Sequence, residues 1–476
     1  MNNKKTLLVI TTLCLLCGVA AGLRAYRNGH SEPPSPFGPL PSEAQVAWQR
    51  MEMNMFCHFG PNTFTGLEWG DGREREALFN PTAMDCNQWV AVARSAGMQG
   101  IIITAKHHDG FCLWPNPESD HTVAQSPWLE GRGDVLLSLS EACRAGGLGF
   151  GIYISPWDRN APTYGTPEYN DVFCRTLEHA HTHYGPIFEQ WFDGACGEGP
   201  NGKRQVYDWN RFNTQVAKHQ PQAVTFSDIG PGCRWVGNEQ GRAPEECWSR
   251  LDTVGFAPGH SPSTDTLGSG NYDGQAWIPA EVDVSIRPGW FWKQAEEPKS
   301  VAQLVDIYLN SVGHNALLLL NVPPDTRGLI DPRDSVRLLE FRAALDSIFA
   351  RNIAPQARIK STSRWGRGYS AANLVDTDYH TYWAAADNKP KSAIELRWRQ
   401  PQQVGYVVLQ EYIPLGQRVS RFHVEAQIDG QWRQVAEGTT IGYKKIVRLP
   451  DVATSALRIV LDRSRALPVL NQIEVY

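Results

Sequence analysis

Charge of one sign, cysteine and long apolar runs are all in short supply in this sequence, and each shortage excludes something. Its 45 Lys and Arg against 50 Asp and Glu leave a net charge of −5 and a pI near 6.2, which supplies no basic footprint for a nucleic acid. Ten cysteines in 476 residues are too few for a disulfide scaffold. If Cys14 and Cys17 leave with a leader, the rest could still form one or two bridges in an oxidising compartment, but they include no zinc-type CxxC pair. One long apolar run exists, TLLVITTLCLLCGVAAG from Thr6, and it follows Lys4 and Lys5 and closes on Val19, Ala20 and Ala21. A basic start, an apolar middle and a small-residue exit are the pattern of an export signal, residues 1–21. The run is almost long enough to span a bilayer, so a retained anchor is the rival reading. Cleavage would leave no stable membrane insertion and a periplasmic or extracellular protein.

What is present is chain enough for two globular units. Residues 22–42 contain SEPPSPFGPLP, a Pro-rich stretch without hydrophobic periodicity that reads as an extended, mobile linker. Over residues 43–350, helical and strand patterns alternate. DCNQWVAVARSAG, GDVLLSLSEACRAGG, PEYNDVFCRTLEHAHTHYG and VAQLVDIYLNSVG have helical spacing, and an apolar strand follows each. The strands read as MNMFC, GIIITAK, LGFGIYI, PIFEQW, QAVTFSD, EVDVSI and NALLLLNVPP. That order predicts an α/β fold with a right-handed parallel sheet, a (β/α)8-like TIM barrel. From Arg351 the pattern changes. Residues 351–476 lack helix-length periodicity and carry short alternating runs instead: AIELRWR, VGYVVLQEY, RFHVEAQID, QWRQVAEG, KKIVRL, ALRIVLD and NQIEVY. With turn signals between them, they predict an antiparallel β-sandwich.

Residues that carry chemistry gather where strands run out. PIFEQWFDG stops at Asp193 and Gly194, the composition of a buried parallel strand reaching the rim on which barrel enzymes place their sites. Asp before Gly is also common in turns and caps, so its company decides. MNMFCHFG places His58 at the end of the first strand, GIIITAKHHDGF places His107, His108 and Asp109 after the second, and LGFGIYISPWD places Tyr153, Trp157 and Asp158 at or beyond the third. One such histidine is commonly structural; several strands each ending in His, Tyr, Trp or Asp are hard to explain by packing. The 17 tryptophans add aromatic surface on which sugar rings can lie, although much Trp in any fold is core.

Together with EWGDG from Glu68, the segments MFCHFG, AKHHDGF, GIYISPWD and WFDG resemble the family 29 glycoside hydrolases, the α-L-fucosidases, over about Trp48 to Pro324. The resemblance implies a glycosidase acting on fucosylated oligosaccharides or glycoconjugates, with no cofactor and no metal. It assigns the nucleophile to Asp193 and the binding of fucose hydroxyls to His58, His107 and His108. The segment SDIGPGCRWVGNEQG, Ser227 to Gly241, is similar to the branch that acts on α-1,3 and α-1,4 linked fucose, in which the acid/base maps to Glu239. A retaining mechanism by double displacement would place the two carboxyls roughly 5 to 5.5 Å apart. Fucose carries a methyl where other hexoses carry a 6-hydroxyl, so its pocket should join polar groups to an apolar wall. Glu68 and Tyr153 join the histidines on the polar side, and Trp69 or Trp290 supplies the apolar side; RPGWFW leaves open whether Trp290 or Trp292 faces the sugar. AANLVDTDYHTYWAA, Ala371 to Ala385, resembles the opening of a discoidin-like, galactose-binding-like domain, which could bind sugar or serve structure alone.

Other readings compete. Asp109 reads as ordering its two histidines by hydrogen bonding. Asp228 or Glu189 could be the acid in place of Glu239, with Glu189 on the same strand face as Asp193 but deeper, while Glu245 and Glu246 read as solvated. A broad-specificity α-L-fucosidase acting on α-1,2 or aryl fucosides is the nearest alternative, and a non-catalytic glycan-binding barrel the alternative of another class. Rim histidines also suit zinc, but His107 and His108 reach one site only if the strand has already broken, since neighbours on a strand point opposite ways.

Overall fold

All seven apolar runs become strands of a closed parallel barrel in the computed structural model, which describes residues 31–386 and 391–476. The expected export signal lies outside the described residues. The barrel strands are β1 (Met53–Cys57), β2 (Gly100–Lys106), β3 (Gly149–Ile154), β4 (Glu189–Trp191), β5 (Val224–Ser227), β6 (Cys233–Trp235), β7 (Ala280–Ser285) and β8 (Leu317–Asn321). Each pairs with its neighbours in sequence, and β8 closes on β1 with Leu318 opposite Met53. They are buried almost throughout because both faces are covered, one by helices and one by the filled interior, and β1, β2, β3 and β8 are mainly apolar; every residue of β2 is buried.

Periodicity did not identify β6. It has three residues, it begins six positions after β5 ends, and no helix separates the two. Its central Arg234 is fully buried, with Nε donating to the Leu267 carbonyl at 2.6 Å and a terminal nitrogen to the Trp248 carbonyl at 2.9 Å. The long return from β6 to β7 contains a short helix, Thr264–Ser269, and the paired strands Arg250–Leu251 and Ala276–Trp277.

The four expected helices form as α2 (Cys86–Ser95), α3 (Val135–Gly146), α4 (Glu168–His183) and α6 (Val301–Ser311). Their starts follow local chemistry: Asp85 and Asp134 cap α2 and α3, and Ser300 with Gln303 forms a capping box on α6. Gly147 ends α3 at φ 71, the left-handed position that favours glycine. Helices α1 (Glu43–Gln49), α5 (Trp209–His219) and α7 (Pro332–Ile348) were not expected; polar residues dilute the apolar spacing of α7, whereas α5 does carry Trp209, Phe212 and Val216 at helical spacing.

The C-terminal part is an antiparallel sandwich whose strands are Arg358–Ser361, Trp383–Ala384, Ser392–Glu411, Val419–Ile428, Gln431–Gly438, Lys445–Ser464 and Val469–Val475. Two pairs of expected runs are each one strand of 20 residues, Ser392–Glu411 and Lys445–Ser464. The sequence looks broken at Pro401 because Arg399, Gln400 and Pro401 leave the core there, while backbone pairing continues.

Two compact units result, one of residues 38–351 and 440–447, the other of residues 352–439 and 448–476 together with the described residues 31–37. That last stretch, part of the Pro-rich segment, has no regular structure but is fastened rather than a free linker. The Arg418 guanidinium donates to the Ser35 carbonyl at 2.8 Å and the Trp365 indole to the Glu32 carbonyl at 2.7 Å. No helix among the described residues is long and apolar enough to cross a membrane. Cys57, Cys86, Cys112, Cys143, Cys174, Cys196 and Cys233 are not in disulfides.

Candidate active site

Strand β4 hands the chain to Phe192 and Asp193, and Asp193 is fixed by two donors. The Ala195 N–H reaches Oδ1 at 2.8 Å, and the Tyr153 hydroxyl, from β3 next door, reaches Oδ2 at 3.0 Å. Trp191 lies beneath, stacked on Phe226 at 3.9 Å and on Tyr153 at 5.3 Å between ring centres.

Because β2 ends at Lys106, both following histidines are free of its alternation, and their rings lie 4.2 Å apart. His108 Nδ1 is 2.8 Å from the Ser155 oxygen, whose hydroxyl donates to the Trp157 carbonyl. Nδ1 therefore carries the proton, and Nε2, 3.6 Å from Asp193 Oδ2, presents a lone pair. His58 has the same tautomer for a similar reason: its Nδ1 sits 2.9 Å from Asn321 Oδ1, and the amide nitrogen of Asn321 is engaged with Ser285 and Trp290. Burial lowers the pKa of each of these two to about 4 and holds His107 well below the usual histidine range. All three rings are neutral near pH 7. His107 stacks on Tyr153 with ring centres 5.8 Å apart.

The two tryptophans of the late aromatic segment have different surroundings. Trp290 packs 5.0 Å from His58, and its indole N–H donates to Glu239 Oε2 at 3.3 Å. Trp292 donates to Asp331 at 2.9 Å and lies beside Arg287. Glu68 accepts the Trp290 backbone N–H at 2.9 Å and pairs with Lys293. Trp69, 58% exposed, stands edge-on to His108 and Trp157. Sequence reading missed Phe291, which is buried 5.1 Å from His107 and 5.4 Å from His58; its signal was the aromatic run itself.

Beside Asp193 opens a cleft of about 470 Å³ whose lining includes Trp191, Phe226, Asp228, Trp235, Glu239 and Asp283, with Arg204 and His260 from the loops. The carboxyls differ in environment. Partial burial, with Asp193 and Glu68 nearby, raises the Glu239 pKa, against the Trp290 hydrogen bond. Burial raises Asp228 to about 6 although the Gly259 N–H donates to it at 2.7 Å. Asp109 does not order its histidines: it accepts the Phe111 N–H at 2.7 Å and so shapes the turn after them. Glu189 is sealed below, holding the Trp48 indole at 2.6 Å. Glu245 is not merely solvated, since it pairs with Lys445 at 2.8 Å, and Glu246 accepts the Trp248 indole at 2.7 Å.

A parallel barrel with carboxyls, neutral histidines and indoles assembled after its strand ends is the architecture of a glycoside hydrolase. The comparisons with known proteins narrow the class. The α-L-fucosidase family profile matches residues 41–346, and the F5/8 type C domain profile matches residues 358–467. Alpha-L-fucosidase 1 of Arabidopsis thaliana is 42% identical over 451 residues, covering 93% of this chain and 88% of the relative. A GH29 fucosidase of Ruminococcus gnavus, solved in complex with fucose, superposes with a TM-score of 0.87 at 31% identity, over 94% of this chain and 97% of that one. A family 29 member from an unknown rumen bacterium gives a TM-score of 0.82 at 38% identity, over 93% and 78%. The chain belongs to the α-L-fucosidase family, glycoside hydrolase family 29, and is an α-L-fucosidase with a C-terminal F5/8 type C domain.

Proposed function

We propose that the enzyme is an exo-acting, retaining α-L-fucosidase that releases α-1,3- and α-1,4-linked fucose, with Asp193 as nucleophile and Glu239 as acid/base. The observation that carries this reading is that both carboxyls line one cleft in opposite states of preparation. Asp193 is oriented by two hydrogen bonds, whereas Glu239 has one long contact and a raised pKa, the division of labour this chemistry needs. Glu239 gives its proton to the glycosidic oxygen as the C1–O bond breaks, and an Asp193 oxygen bonds to C1 from the β face. Water then attacks C1 from the α face, its proton passing to Glu239, and Asp193 departs as carboxylate. His58 and His108 offer lone pairs to sugar hydroxyls, and Trp69, Trp290 and Phe291 supply the apolar surface for the methyl.

Linkage preference rests on the outer wall. Arg204, Pro258 and His260 line the same cleft as the carboxyls, and we assign to them the sugar branch next to fucose. We expect Lewis-type trisaccharides to be hydrolysed with a kcat/KM about tenfold or more above 2′-fucosyllactose, a difference of about 1.4 kcal/mol in transition-state binding. Equal or faster cleavage of the α-1,2 substrate refutes the selectivity.

Export is proposed on the basic, apolar and small-residue order of residues 1–21. Amino-terminal sequencing of protein from outside the cytoplasm should begin at Gly22; a start at Met1 would mean the segment is retained.

A further inference from the structure

On β7, Glu281, Asp283 and Ser285 alternate with Val282 and Val284, so the polar side chains share one face of the strand. That face is the barrel interior: Glu281 accepts the Trp191 indole at 2.8 Å, and Asp283 lines the cleft beside Asp193 and Glu239. Asp283 is only 4% exposed. Its Oδ1 is pinned by the Trp235 indole at 2.9 Å, while Oδ2 receives no donor from another residue among those described.

We propose that Asp283 is a third carboxyl of the reaction cleft, a binding residue that in its acid form donates a hydrogen bond from Oδ2 to a hydroxyl of the bound substrate. The inference rests on the assignment of the cleft to Asp193 and Glu239, and it concerns a group that assignment leaves idle.

The surroundings explain why the acid form persists. Below, on its own strand, stands Glu281, which shares a buried carboxyl contact with Glu189 of β4. Across the cleft are Asp193 after β4, Asp228 after β5 and Glu239 after β6. From β8 the register partner is Leu319, which does not titrate. The titratable groups of opposite tendency, Arg204 and His260, belong to the loops of the outer wall. Burial first, then the charges of Glu239 and Asp193, hold the Asp283 carboxyl well above the usual range. A neutral carboxylic acid in such a place is a hydrogen-bond donor, which an ionised one is not.

The test uses the whole enzyme and an aryl α-L-fucoside whose leaving group needs no proton, so that kcat/KM does not depend on the Glu239 proton. Asp283→Ala should lower kcat/KM about 10- to 100-fold, one buried hydrogen bond to substrate. Asp283→Asn keeps the indole acceptor and an N–H donor, and should restore at least tenfold over the alanine variant. The decisive readout is the pH profile. In wild type, kcat/KM should fall on the alkaline side as Asp283 ionises, beyond the range in which Asp228 titrates, and in Asp283→Asn that fall should flatten. The inference is overturned if the asparagine variant keeps the wild-type alkaline limb, or if both variants change thermal stability but leave kcat/KM alone. Asp193→Gly and Glu239→Ala, assayed alongside, report on those two carboxylates independently, so a failure of the underlying assignment is distinguishable from a failure at Asp283.

Discussion

Asp193→Gly removes essentially all hydrolysis of fucosylated glycans, and azide brings turnover of an activated α-fucosyl donor back as β-fucosyl azide. The expected loss is about 10³- to 10⁵-fold, roughly 4 to 7 kcal/mol of transition-state stabilisation, because the carboxylate proposed to bond to the anomeric carbon is gone. The neighbours argue for specificity of the effect. Tyr153 and the Ala195 N–H stay behind in the variant, so the vacated space is still lined with donors and suits a small anion. Azide entering there attacks from the β face and gives the inverted anomer. Proton NMR of the product reads the configuration directly. An α azide from this variant would place the nucleophile elsewhere. A β-fucose as the first product of the wild-type enzyme would mean inversion, and the role of Asp193 would fall with it.

The elements that position this carboxylate were legible because burial on both faces of a parallel strand forces an apolar run, and the run stops where the rim begins. Seven of the eight barrel strands were legible as apolar or alternating runs. Cys233–Trp235 was not: three residues around a buried arginine carry no periodicity, and its pairing depends on contacts made by Leu267 and Trp248 far along the chain. The polar face of β7 was written in the sequence as Glu, Val, Asp, Val, Ser, yet alternation alone does not say which face is interior; the Trp191 bond to Glu281 does. Trp290 and Trp292 share a strand-like spacing, and only the placement of Asp331 and Glu239 separates them. The C-terminal strands were found but cut in two, since an exposed polar middle reads as a turn when backbone pairing is invisible.

Glu239→Ala should affect a natural fucosyl linkage and an activated aryl donor differently. A natural fucosyl linkage leaves as an alkoxide unless a proton arrives, so its kcat/KM should fall about 10²- to 10⁴-fold, the usual contribution of a general acid. An aryl donor with a good leaving group still forms the glycosyl-enzyme, and the missing base then slows its hydrolysis, so kcat and KM should fall together and a burst of aryl product should appear. Azide needs no base and opens the β-linked intermediate from the α face, giving α-fucosyl azide, the opposite anomer from that of the nucleophile variant. The pH dependence carries the same signature. Partial burial and the proximity of Asp193 raise Glu239 above the usual glutamic acid range, so the acid form survives to higher pH and is lost as pH rises through that raised value. On an unactivated glycan the alkaline limb of wild-type kcat/KM should therefore lie above the usual glutamate range. Wild-type turnover of the glycan by Glu239→Ala, or an α azide that appears only when Asp228 is changed, would move the acid/base to Asp228. That carboxyl is raised to about 6 and lines the same cleft, but its Oδ2 already accepts the Gly259 N–H, which ties it to the loop, whereas the hydrogen bond that Glu239 makes among the described residues is a long one to an indole, at 3.3 Å, easily given up when its proton passes to the substrate.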